Sequence, residues 1–134
     1  MPPRQVDPLV LRLAVHTVLQ AVDGGSEPAK QPLRDAVRMS LSVLARTVPG
    51  KAVEVRVPPY GAVQCEQGPR HTRGQPPNVV ETDPVTWVRL VAGHLTWDEA
   101  ARSGRLRASG IRADLSRHLP LVRPFTESRN DATR

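Results

Sequence analysis

The chain has 134 residues and 14.7 kDa, with 39% apolar and 24% charged residues; this is the size of one domain, able to bury about two thirds of its unfolded surface, and it excludes a disordered polyelectrolyte. No run approaches the roughly 18 apolar residues of a membrane span, and Met1-Pro2-Pro3-Arg4-Gln5 lacks the apolar core of a secretory leader, so a cytoplasmic protein without integral membrane contact is expected. The net charge is +6, yet only two of the 19 basic residues are lysines (Lys30, Lys51), the arginines are scattered, and the aromatics number four (Tyr60, Trp87, Trp97, Phe125), too few to stack bases; no specific nucleic-acid partner follows.

Asp7-Pro8 reads as a helix cap followed by proline at the first helical position, and Leu11, Val15, Val18 and Val22 recur at helical spacing until Asp23-Gly24-Gly25. A polar loop leads to Pro32, which opens a second helix with Leu33, Val37, Leu41, Leu44 and Val48 on one face, closed by Pro49-Gly50. From Lys51 the period falls to two: Val53, Val55 and Val57 alternate with Glu54 and Arg56, as in a strand with one buried face. Pro58-Pro59-Tyr60-Gly61 turns the chain into a second strand, with Val63 and Cys65 inward and Gln64 and Glu66 outward, and the two are expected to pair antiparallel.

Residues 67–77 read as an irregular basic loop containing Arg70, His71 and Arg73, and residues 78–81 as a short strand that leaves an exposed sheet edge. Asp83-Pro84 repeats the cap-and-proline signal for a helix carrying Trp87, Leu90 and Val91, which ends at Gly93. Thr96 with Glu99 forms a capping box for a short helix that Gly104 stops. Residues 105–109 alternate as a further strand, and Ile111, Leu115 and Leu119 mark a last helix before Pro120. The order ααβββααβα, without repeats, defines an α+β layer of helices on one face of a mostly antiparallel sheet. Residues 1–123 are expected to form a single domain and the polar residues 124–134 a disordered tail.

No catalytic constellation is assembled. His16, His71, His94 and His118 fall in no metal-ligand spacing, and one cysteine cannot complete a zinc site, so neither metal nor cofactor is expected. Cys65 is in phase with Val63 and reads as a small core residue rather than a nucleophile paired with His71. Asp83 and Glu99 are accounted for by capping and Asp98 by the helix dipole, which leaves Glu81 alone. The constellation that points to a ligand is Trp87 with Trp97, large apolar surfaces on successive helices, able to line a space against the sheet.

Residues 78–121 resemble the sterol carrier protein 2 (SCP-2) family, through Glu81-Thr82-Asp83, Trp87-Val88-Arg89-Leu90, Gly93-His94-Leu95, Glu99-Ala100-Ala101 and Ser103-Gly104-Arg105-Leu106-Arg107-Ala108-Ser109-Gly110, in that family's order and spacing. The likeness is nearest to small stand-alone relatives in high-GC bacteria. The resemblance implies an SCP-2-like sheet of about five strands, helices on one face, and an apolar cavity between the layers that holds lipids, sterols or fatty acyl groups without catalysis. The last residues read Ala132-Thr133-Arg134 rather than a peroxisomal Ser-Lys-Leu, and the activity of the metal-dependent isomerase domain fused to some bacterial relatives is not expected of these 134 residues.

The expected ligand site therefore comprises Trp87, Leu90, Val91, Leu95 and Trp97 above a floor of Val55, Val57, Val63, Cys65 and Leu106. Arg70, His71 and Arg73 are placed at its mouth, where they would meet an anionic head group. The alternative is an adaptor that docks an acidic partner on the basic loop and has no ligand cavity; oligomeric state is left open.

Overall fold

The computed structural model describes residues 5–68 and 78–123. Helix α1 (Pro8–Asp23) starts where expected, with the Asp7 carboxylate accepting from the Leu9 N–H at 2.9 Å. Helix α2 (Lys30–Thr47) begins two residues before Pro32, because a proline in the first turn removes an N–H that has no intrahelical partner there. Strands β1 (Val53–Val57) and β2 (Gly61–Cys65) form the expected antiparallel hairpin, with Val55 opposite Val63. Strand β3 (Val79–Thr82) leads into α3 (Pro84–Val91), capped by Asp83. The capping box of Thr96 and Glu99 starts α4 (Trp97–Arg102), and β4 (Leu106–Ser109) follows.

Among the described residues the sheet has four strands rather than about five, in the order β2-β1-β3-β4. Two of its pairings are antiparallel, while β1 and β3 run parallel with Val55 beside Val80, so the sheet is mixed. Strand β3 consequently lies inside the sheet; the edges are β2 and β4, which corrects the expectation of an exposed edge at residues 78–81. Val53, Val55, Val57, Cys65, Val80 and Leu106 project to one face, buried in the same apolar cluster as Leu11, Leu41, Leu44 and Trp87 from the helices. The alternate residues Glu54, Arg56, Glu81 and Arg107 form the outer, charged face of the sheet.

The last expected helix is not formed. Ile111 is 99% exposed, and the chain makes only a 3₁₀ turn at Ser116–His118. The Asp114 carboxylate takes the Ser116 N–H at 2.9 Å, a local bond that competes with helical pairing, and Pro120 prevents extension. Residues 119–123 instead cross the helix layer as a strap: the Leu121 and Val122 N–H groups donate to the Val91 carbonyl at 2.8 and 3.2 Å. The Arg12 guanidinium donates to the Arg123 carbonyl at 2.9 Å, which ties α1 to the same strap.

Candidate functional site

The helices and sheet bring most of the sequence-predicted ligand residues into one apolar cluster. Trp87, Leu90, Val91, Val55, Val57, Cys65 and Leu106 are all buried there, while Val63, Leu95 and Trp97 pack against it half-buried. Arg70, His71 and Arg73 lie outside the described residues. Trp87 is held by more than packing: its indole N–H donates to the Ser40 hydroxyl at 2.9 Å, and that hydroxyl donates to the Val37 carbonyl at 3.0 Å. No buried side-chain nitrogen or oxygen among the described residues lacks a hydrogen-bond partner. The cluster is therefore apolar, and its buried polar side-chain atoms are already satisfied.

Two shallow cavities lie elsewhere, at the charged side of the sheet. One, of about 350 Å³, is lined by Pro58, Glu81, Thr82, Asp83, Gly104, Arg105 and Arg107. The other, of about 310 Å³, runs along β4 and is lined by Val79, Glu81, Arg107, Ala108 and Ser109. Between them Arg107 pairs with Glu81 at 3.1 Å, and Arg56 pairs with Glu54 at 3.1 Å further along the same face. Glu81, which capping leaves unexplained in the sequence, thus has a cross-strand partner directly opposite it in the ladder.

Glu66 is the polar residue that sequence reasoning placed wrongly. The two-residue period puts it on the solvent face beside Gln64, but the backbone leaves the strand there with φ 71°, and Glu66 is only 7% exposed. Its carboxylate accepts from the Arg117 guanidinium and faces the His118 imidazole Nε2 at 2.9 Å, so the 3₁₀ turn is clamped to the end of β2. Gly50 makes this bend possible: a Cβ at that position would sit 1.9 Å from the Glu66 carbonyl oxygen. Asn78 is a second buried polar group whose role only the fold reveals, since its side chain bridges Ala52 and Arg112. Among the described residues no group of three or more His, Cys, Asp or Glu side chains could hold a metal ion.

Burial first, and the neighbouring Glu66 second, push the Cys65 thiol up to about 11. The thiol is protonated at neutral pH and unsuited to attack. Ellman's reagent at pH 8 is expected to react with Cys65 roughly a hundredfold more slowly in the native chain than after denaturation, following the two-unit rise and the loss of access. The unfolded chain releases this proton near pH 9 and the folded chain near 11, so stability falls as pH rises through that window. Denaturant titrations of the native protein and Cys65→Ala from pH 8 to 11 read out that difference, which a Cys65→Ala chain lacks.

The arrangement, an apolar helix layer on a mixed four-stranded sheet with saturated internal hydrogen bonds, defines an α+β fold. The family of bacterial SCP orthologs matches residues 29–121, from the start of α2 to the strap, and the chain belongs to this SCP-2-like family. No curated protein matches the chain. Helix α1 stands outside the matched segment yet packs on α2 and α3 and contributes Leu11, Val15 and Val18 to the core. Among the described residues no helix is long and apolar enough to cross a membrane.

Proposed function

We propose that this chain binds and carries an apolar or amphipathic small molecule, a lipid, sterol or fatty acyl chain, and catalyses no reaction on it. The observation that carries this reading is membership of the SCP-2-like family over residues 29–121, a segment that includes the whole sheet and the helices α2, α3 and α4 lying with it. The ligand is held between the layers, above Val55, Val57, Val63, Cys65 and Leu106 and beneath Trp87, Leu90 and Val91. It enters beside the half-buried Leu95 and Trp97 and the strap residues Leu121 and Val122, which are tied to α3 through the Val91 carbonyl. Removing hydrocarbon from water there contributes roughly 25 cal/mol per Å². An anionic head group is met by Arg70, His71 and Arg73.

Native mass spectrometry of the chain purified from its own host, with organic extraction, tests this directly. The expected result is a one-to-one complex with an extractable lipid or acyl species. A chain that arrives empty and shows no thermal shift with fatty acid, acyl-CoA or sterol overturns the reading. Arg70→Ala and Arg73→Ala are each expected to weaken fatty-acid binding about tenfold, as a charge-assisted pair is lost; unchanged affinity removes the head-group role.

One observation favours a second reading. Trp87, Leu90 and Val91 are already fully packed, whereas both cavities described above lie at the charged side of the sheet. A binding protein that works through its surface, with a core that holds nothing, would look the same. Its signature is an empty interior together with partner binding that falls steeply with salt.

A further inference from the structure

Strand β4 is one of the two edges of the sheet. Its backbone bonds to β3, and among the described residues no other hydrogen bond reaches the backbone of Leu106–Ser109. Arg107, Ala108 and Ser109 are all exposed, even though Ala108 lies opposite the buried Val80. Ile111, two residues beyond the strand, is 99% exposed. Arg105 is exposed and forms no ion pair among the described residues, and Arg107 lines both surface cavities.

We propose that β4 is a docking edge that takes an extended acidic segment of another protein as an added strand. The open backbone supplies the hydrogen bonds, because alternate residues of an edge strand hold their N–H and C=O groups away from the sheet. Arg105, unpaired among the described residues, supplies the charge preference, Arg107 adds to it from its exposed place beside Glu81, and Ile111 offers an apolar contact to a residue one step along the same segment.

The charges also decide which occupant fits. Two copies of this chain joined antiparallel through β4 would bring Arg107 of one strand, and Arg105 just before it, close to those of the other, and each copy carries a net charge of +6; like charges facing across a strand pair are destabilising. An acidic strand reverses that sign. The other edge, β2, exposes Ala62 and Gln64 and offers neither a charge nor a large exposed apolar side chain. The edge is thus specific in charge as well as open.

The test is titration of the isotope-labelled full chain with the peptide acetyl-(Glu-Val)₃-amide, read by amide chemical shifts and hydrogen exchange. Saturable shifts at Ala108 and Ser109, with slowed exchange there, are expected. The peptide acetyl-(Gln-Val)₃-amide, of the same strand propensity without charge, is expected to bind about tenfold more weakly, which keeps the test on the native chain. Arg105→Glu should weaken the acidic peptide by about tenfold or more. Arg38→Glu, an equal charge change on the exposed side of α2, should leave it unaltered. Equal binding of an acidic peptide interrupted by proline would show attraction without strand pairing and overturn the proposal. So would displacement by an equal concentration of oligothymidylate, or self-association mapping to Ala108 and Ser109.

Discussion

Replacing Trp87 with alanine is expected to destabilise the protein by about 3–5 kcal/mol, the range for deleting a large buried aromatic side chain. Trp87 is the largest fully buried side chain among the described residues, and its indole joins α3 to α2 through Ser40. Truncation therefore removes both the packing between those helices and the hydrogen bond that sets their register. Trp87→Phe separates the two contributions: most of the volume is kept, the indole N–H is lost, and a cost of about 1–2 kcal/mol is expected. Ser40→Ala tests the same bond from the other side and should cost more than a surface serine, because it leaves a buried indole N–H unpartnered. Urea titration of the four chains, with the m-value held constant, checks the order Trp87→Ala, Trp87→Phe, native. A loss below 1 kcal/mol for the alanine variant would mean that the helix layer can close around the gap. In that case Trp87 is a movable wall rather than a fixed part of the core, as uptake of a large ligand between the layers would require.

The elements that could be read from the sequence are those whose signals are local. Asp7 and Asp83 before proline, and Thr96 with Glu99, fix helix starts within three or four residues of chain, and each bonds in the structure as its type requires. Val53, Val55 and Val57 fix a buried face by their period alone. Strand order has no such signal. Val79 and Val80 are both β-branched, so nothing in the pair says which faces inward, or that β3 slots parallel beside β1 and leaves β4 at the edge. Ile111, Leu115 and Leu119 carry helical spacing, but of the three only Leu115 is fully buried, and the competing Asp114 turn wins.

Legibility at the site divides in the same way. The apolar residues Trp87, Leu90, Val57 and Leu106 gather because any amphipathic layer buries its stripe, so their meeting was readable without knowledge of a ligand. Glu66 was not readable, because its burial depends on a left-handed bend at the end of β2 and on Arg117 and His118, some fifty residues away. The charged face shows the same dependence: Glu81 finds Arg107 only when β4 is laid against β3.

Asn78 is where the second large effect is expected. It stands at the entrance to β3, almost wholly buried, with its amide Nδ2 donating to the Ala52 carbonyl at 2.8 Å and its Oδ1 accepting from the Arg112 N–H at 2.9 Å. Its own carbonyl accepts from the Glu54 N–H at 3.0 Å. One side chain thus ties the residue before β1 and the turn after β4 to the start of β3, where the β1–β3 and β3–β4 ladders both end. Asn78→Ala leaves a carbonyl and an N–H without their partners, and at roughly 1–3 kcal/mol for each the expected loss is about 2–6 kcal/mol.

Asn78→Asp makes the cause visible through pH. A carboxylate can still accept from Arg112, but it sets a negative oxygen against the Ala52 carbonyl, whereas the protonated acid can donate there as the amide does. The folded chain therefore favours the protonated form and raises the introduced group above its unfolded value near 3.9. Stability relative to the native protein is best below that value and is lost as pH rises through the folded one. Denaturation midpoints of Asn78→Asp and the native chain between pH 3 and 7 should consequently diverge as pH increases. Curves that stay parallel across that range would show that water takes the place of the amide donor, and that Asn78 fills space at the junction without tying it together.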